Sequence, residues 1–217
     1  MPQKALAEFF GTALLLMVVV GSGIAGEQLA SGNMAVALLA NSIATGAGLY
    51  VLISVLGPIS GAHFNPLVSV FSRACGALSW AECGAYIAAQ ISGGIAGVWL
   101  THLMYELPML QTSVKVRTGM AQWLSEVIAS ALLLATIHLA VRYAKDKVPL
   151  LVALLVTGGY WFTSSTFFAN PAVTIARSLS NTFAGIYPGD VIGFVLAQLC
   201  ALVLVWGWVR SLPAVKA

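Results

Sequence analysis

The chain has 217 residues, of which ten are basic and seven acidic, and 59% are apolar before its 21 glycines are counted. A typical soluble protein carries charge on roughly a quarter of its residues, so this composition cannot dress a water-facing surface and describes an integral membrane protein. A net charge of +3 with no Lys/Arg-rich run gives nucleic acid no footprint, and soluble enzymes and disordered tails are excluded with it.

In chain order, Lys4 precedes an apolar run that contains Glu8 and reaches Gly26. That is longer than a signal-peptide core of roughly 7 to 15 residues, so residues 5–25 are read as a retained first span. Further apolar stretches at 34–56, 83–105, 119–141, 148–166 and 191–209 bring the number of spans to six. Their continuous apolarity lacks the alternation of barrel strands, and an unpaired backbone cannot face lipid, so all six are predicted to be helices. Cys75, Cys83 and Cys200 show no C-x-x-C spacing and are read as small apolar packers rather than a disulfide or zinc framework.

Two apolar segments, 64–78 and 169–184, are too short to cross. Each opens on an Asn-Pro pair, Asn65-Pro66 and Asn170-Pro171. Asn is a strong helix N-cap and Pro suits the first helical position, so each pair predicts a half-helix starting inside the membrane.

The plan recurs along the chain. Glu8-Phe-Phe-Gly-Thr-Ala-Leu-Leu-Leu is echoed by Glu126-Val-Ile-Ala-Ser-Ala-Leu-Leu-Leu, Asn65-Pro66 by Asn170-Pro171, and Ala89-Gln90 by Ala197-Gln198. Three spans per half is an odd number, so the second copy enters from the opposite side. The expectation is a single transmembrane domain over residues 1–217, an all-α membrane protein of six transmembrane helices plus two re-entrant half-helices in an inverted 3+3 repeat. The halves cover about 1–105 and 119–217. Lys4, Arg73, Arg142, Lys145, Lys147, Arg210 and Lys216 fall on one side against Lys115, Arg117 and Arg177 on the other, which places both termini in the cytoplasm.

Inverted symmetry brings the two half-helix N-termini together near the midplane. Each presents unpaired N–H groups and roughly half a positive charge. One unit charge in all, about 4 Å from a cation at an effective dielectric near 20, costs that cation about 4 kcal/mol, or roughly a thousandfold. Such a gap passes neutral molecules and rejects cations.

His63-Phe64-Asn65-Pro66-Leu67 and Asn170-Pro171-Ala172, set in two inverted halves, resemble the major intrinsic protein (aquaporin) superfamily over nearly the whole chain. The resemblance implies that Asn65 and Asn170 donate amide hydrogens to a permeating molecule. Leu67 stands where the family usually has Ala, and Ala172 keeps the usual residue, so Leu67 is expected to alter packing or narrow the midplane. His63 is expected to orient its loop or line the pore.

The resemblance also implies a second constriction. Counting from the asparagines places Thr45, Gly158, Phe167 and Val173 in this filter. Most relatives carry arginine at the Val173 position, while Gly158 and Phe167 match the glycerol-conducting branch. The expected filter is wide and uncharged, without a five-donor guanidinium fork. Water, glycerol and other polyols follow as solutes. A further likeness to bacterial aquaglyceroporins associated with arsenic resistance adds neutral arsenite. Glu8 and Glu126, costly within a span, are expected to hold the half-helix loops. Arg73 and Arg177 are expected to be interfacial anchors, and Gly93, Gly94, Gly97 and Gly207 to serve close helix contacts. The resemblance further implies a homotetramer with a pore in each subunit, in a bacterial inner membrane, with no cofactor and no metal.

Two other classes compete. A secondary carrier also uses inverted repeats and broken helices, and an intramembrane serine protease could draw on Ser60 and His63. The latter lacks a Gly-x-Ser-x-Gly elbow and leaves Asn170-Pro171 unexplained.

Overall fold

The computed structural model describes residues 1–212, so Lys216 lies outside the described residues. Its helices are α1 (Pro2–Leu29), α2 (Met34–Ser60), α3 (Pro66–Ala74), α4 (Trp80–Met104), α5 (Met120–Tyr143), α6 (Val148–Phe162), α7 (Pro171–Arg177) and α8 (Val191–Ser211). No strand occurs among the described residues. Helix starts follow local chemistry. The Asn33 carboxamide caps α2 by accepting the Ala35 and Val36 N–H groups, and Ser79 and Glu82 form a reciprocal capping box on α4. Gly61, at φ 88°, ends α2 in the left-handed conformation that suits glycine.

Five helices, α1, α2, α4, α5 and α8, are long and apolar enough to cross a membrane. The fifth expected span departs from the sequence reading. Helix α6 stops at Phe162 after 15 residues, or about 22 Å at 1.5 Å per residue, and residues 163–169 turn back as non-helical chain. The half-helices are also shorter than 64–78 and 169–184. The chain leaves the helix at Cys75 and at Ser178, and the second exit is held by main-chain hydrogen bonds from Ser113 to Ser178 (2.9 Å) and from Tyr187 to Lys115 (2.7 Å).

Helix α1 lies along α4 and α2, α2 along α6, and α5 along α8, while α3 and α7 are enclosed between α4 and α8. The α1–α4 approach is backbone to backbone. A Cβ on Gly93 would overlap the Phe9 carbonyl, and one on Gly97 the Ala13 carbonyl; the two glycines are one turn apart on a single face. Gly207, expected to act likewise, has open space where its Cβ would be, so it makes no such contact.

Two faces can be distinguished. Lys4 bonds Glu82 at 3.2 Å, and Trp206 donates to the Ala74 carbonyl at 3.3 Å, so the start of α1 and the ends of α3 and α8 share a terminal face. On the opposite, loop face, the 105–119 segment folds over the chain after α7. Helices α3 and α7 begin against each other in the interior and end on opposite faces.

Candidate functional site

Each half-helix begins with the same construction. Asn65 and Asn170 are extended at φ −156° and −159°, outside their helices. Asn65 Oδ1 accepts the Leu67 N–H at 2.9 Å; Asn170 Oδ1 accepts those of Ala172 at 3.0 Å and Val173 at 3.3 Å. These N–H donors fix which side-chain atom is oxygen, so each amide nitrogen points the other way. Asn65 Nδ2 donates to the Ala169 carbonyl at 2.8 Å, and Asn170 Nδ2 to the Phe64 carbonyl at 2.8 Å. One hydrogen of each amide is thereby spent on the opposite loop, and the second stays available.

The loops ahead of the asparagines are held in a conformation that residues with a Cβ rarely adopt. Ala62 and Phe64 have φ of 50° and 48°, and Phe167 and Ala169, at the matching offsets, 55° and 45°. Each such residue costs about 1–2 kcal/mol, which buried carboxylates offset. Glu8 accepts from Ser60 Oγ (2.6 Å), His63 N (2.9 Å), Phe64 N (2.7 Å) and Gln90 Nε2 (2.7 Å). Glu126 accepts from Phe168 N (3.0 Å), Ala169 N (2.9 Å) and Gln198 Nε2 (2.8 Å). Non-helical backbone is tolerable at this depth because its N–H groups are satisfied inside the protein.

A cavity of about 290 Å³ runs past both asparagines. Toward the terminal face its wall includes Ser72, Ala77, Val141 and Val148; toward the loop face it includes Thr45, Tyr160, Phe167 and Arg177. His63 also lines it, with Nδ1 3.1 Å from Ser69 Oγ and its ring edge-on to Tyr86. Of the residues singled out in the sequence, the structure brings Asn65, Asn170, His63, Thr45, Phe167 and Val173 to this one cavity.

Three residues are placed elsewhere. Leu67 and Ala172 are buried in protein and do not reach the cavity, which is lined by Val68 and Val173, three residues beyond each asparagine. The bulk of Leu67 goes into the core cluster with Leu16 and Phe71 and does not narrow the lumen. Gly158 lies on the exposed face of α6 with Leu154 and Trp161, and its Cβ would meet open space. Counting back from Asn170 puts the wrong face of α6 toward the lumen; the ridge facing it is Val148, Val152, Val156 and Tyr160. Tyr160 Oη lies 3.2 Å from Thr45 Oγ1, a pairing with no signal in the linear sequence.

Arg177 is the largest departure. Expected as an interfacial anchor, it is 2% exposed and lines the cavity. The lumen is therefore not free of charged side chains.

The sequence profile of the major intrinsic protein family matches residues 1–164. The aquaglyceroporin AqpS of Rhizobium meliloti is 54% identical over 206 residues, covering 93% of this chain and 88% of that protein. A probable glycerol uptake facilitator protein of Thermotoga maritima is 32% identical over 167 residues, 70% of each chain. In fold, the aquaglyceroporin structure from Plasmodium falciparum superposes with a TM-score of 0.78 at 19% identity, over 97% of this chain and 96% of that one. Two half-helices meeting end to end beside a cavity that both asparagines line, in a chain this similar to such relatives, lead to one conclusion: it belongs to the major intrinsic protein family of integral membrane channels.

Proposed function

We propose that the chain is a passive channel for water and small neutral solutes, glycerol and other polyols among them, and that it catalyses no reaction. The observation that carries this is the cavity running past the two helix N-termini, with one uncommitted amide hydrogen on each of Asn65 and Asn170. A solute oxygen accepts from these donors in place of water, while the N-terminal ends of α3 and α7 disfavour a cation. Much of the remaining wall is Val, Leu, Ile and Phe, which offers no hydrogen bonds and lets a solute move on between the polar groups at Thr45, Tyr160, His63 and Arg177.

Polyol-sized solutes are supported by the two curated relatives, one named an aquaglyceroporin and the other a probable glycerol uptake facilitator. Neutral arsenite belongs to the same size and charge class. The terminal face is assigned to the cytoplasm from its excess of Lys and Arg. The bacterial inner membrane and a homotetramer, one lumen per subunit, complete the reading.

The test is swelling of proteoliposomes in water, glycerol, urea, a larger polyol and arsenite, with proton leak measured alongside. Solute flux linear in the gradient and indifferent to sodium and pH is expected. Saturable, ion-coupled uptake would sink the channel in favour of a carrier.

A further inference from the structure

Resting on the channel reading, we propose that Arg177, which lines the lumen, with Arg117 behind it at the Phe168 ring, forms a binding site for small oxyanions at the loop-face end of the lumen, and that an anion seated there obstructs the path of neutral solutes. Both guanidiniums address one aromatic ring. The Arg177 guanidinium carbon lies 3.5 Å from the Phe168 ring centroid and that of Arg117 lies 5.2 Å from it. Phe168 is fixed by edge-on contact with Phe194 at 5.0 Å.

Main-chain carbonyls orient both arginines and leave donors over. Arg177 Nε donates to the Ala184 carbonyl, and Arg117 Nε to the Gly185 carbonyl at 2.9 Å, with Arg117 Nη1 3.4 Å from Thr166 Oγ1. The two terminal nitrogens of Arg177 have no hydrogen-bonding partner among the described residues, although the side chain is almost wholly buried and forms part of the cavity wall.

Neither guanidinium has a carboxylate within ion-pair distance among the described residues, although Glu126 attracts both from farther off. The Lys4–Glu82 ion pair lies on the terminal face, away from these arginines. Asp190 is occupied by the Arg117 main-chain N–H at 2.7 Å, and Glu126 by the Phe168 and Ala169 N–H groups. Lys115 adds a third cation on the same face, donating to the Phe183 carbonyl at 2.6 Å. Buried charge is expensive unless paired, and a guanidinium fork matches two oxygens of one oxyanion. Val173 and Arg177 lie four residues apart on α7 and line the same cavity, so the site sits about one helical turn beyond Val173.

A lipid headgroup carries the same phosphate chemistry, but a donor enclosed in the lumen is reached by a free ion. Inorganic phosphate is therefore the probe, with glycerol uptake measured in liposomes of neutral lipid and again with anionic lipid added. Wild-type uptake is expected to fall saturably with phosphate to the same extent in both. Arg177→Met should be insensitive, and Arg177→Lys should need at least about tenfold more phosphate because it offers a point charge instead of a fork. Thermal stabilisation of the detergent-solubilised wild type by phosphate is the second readout; should Arg177→Met fail to fold, Arg117→Gln replaces it and should weaken both effects. Glycerol uptake and melting both indifferent to phosphate, or an effect undiminished in Arg177→Met, would overturn the site. Absence of glycerol uptake in the wild type without phosphate would instead remove the channel reading, and the melting measurement would still decide the site.

Discussion

Asn65 and Asn170 each tie down the loop that leads into the other: the Asn65 amide donates to the carbonyl of Ala169 and the Asn170 amide to that of Phe64, both at 2.8 Å. The bonds close a reciprocal clasp across the interior. The residues that position the two uncommitted amide hydrogens are thus the same ones that hold the half-helices end to end, so stability and conduction share a cause.

Asn170→Asp separates the two roles poorly, and that is its use. The carboxylate still accepts from Ala172 and Val173 but has no hydrogen for the Phe64 carbonyl and none for a solute. Loss of a buried hydrogen-bond partner costs about 1–3 kcal/mol. We expect a lower melting temperature together with at least about a tenfold fall in glycerol uptake. A variant that melts early but conducts normally would detach the asparagine from conduction.

The carboxylates behind the loops set a second expectation. Glu126→Leu leaves the Phe168 and Ala169 N–H groups and Gln198 without an acceptor, while Glu126→Gln retains one oxygen. Hydrogen bonds to a charged group are worth about 1.5–3 kcal/mol each. Stability measured by thermal unfolding should therefore fall in the order wild type, Gln, Leu, with Glu8 variants following the same order.

These features were legible in the sequence to unequal degrees, for physical reasons. Asn65-Pro66 and Asn170-Pro171 announce helix starts because capping is local chemistry, and Glu8 and Glu126 stand out because a carboxylate in an apolar run needs partners. Gly158 was misplaced because counting residues assumes a regular path from α6 to Asn170, whereas Thr166, Phe167 and Ala169 are left-handed and turn the chain. For Leu67 the sequence leaves altered packing and a narrower midplane both open; packing is the outcome, because the second residue of α3 faces the core and the third, Val68, faces the lumen. Arg177 resembles an interfacial anchor until the 105–119 and 178–187 segments fold over it, a long-range event with no local signature.

Glycine gives a paired test. Gly93→Ala puts a methyl group against the Phe9 carbonyl, which belongs to a backbone that cannot step aside, so a loss of about 1–3 kcal/mol is expected. Gly207→Ala fills open space and should be neutral or gain up to about 1 kcal/mol through helix propensity. Equal melting temperatures for the two variants in detergent would contradict the α1–α4 crossing described here.

Lys115 gives a pH dependence. Burial brings its ammonium down to about 8, with repulsion from Arg117 and Arg177 adding to the effect. In the unfolded chain it titrates near about 10.4. Below pH 8 both states hold the proton and its contribution is flat; between these values the unfolded state binds the proton that the folded state has released, so stability rises with pH. The difference in melting temperature between wild type and Lys115→Met should shift in favour of wild type as pH is raised from 7.5 to about 9.5. A constant difference across that window would mean that Lys115 keeps its charge there.

Val173→Arg tests the lumen where relatives are expected to carry the guanidinium. Val173 and Arg177 share one face of α7, so the new side chain would stand about 6 Å below an existing cation. Like charges four residues apart cost about 0.2–0.5 kcal/mol on an exposed helix, and more where water is scarce. The larger expected effect is steric, because a long planar group replaces a short apolar one beside Thr45, Tyr160 and Phe167. Stopped-flow uptake of a four-carbon polyol should drop at least about tenfold relative to water. If that ratio stays unchanged in a variant that folds and conducts water, Val173 does not govern passage and the constriction lies nearer Arg177.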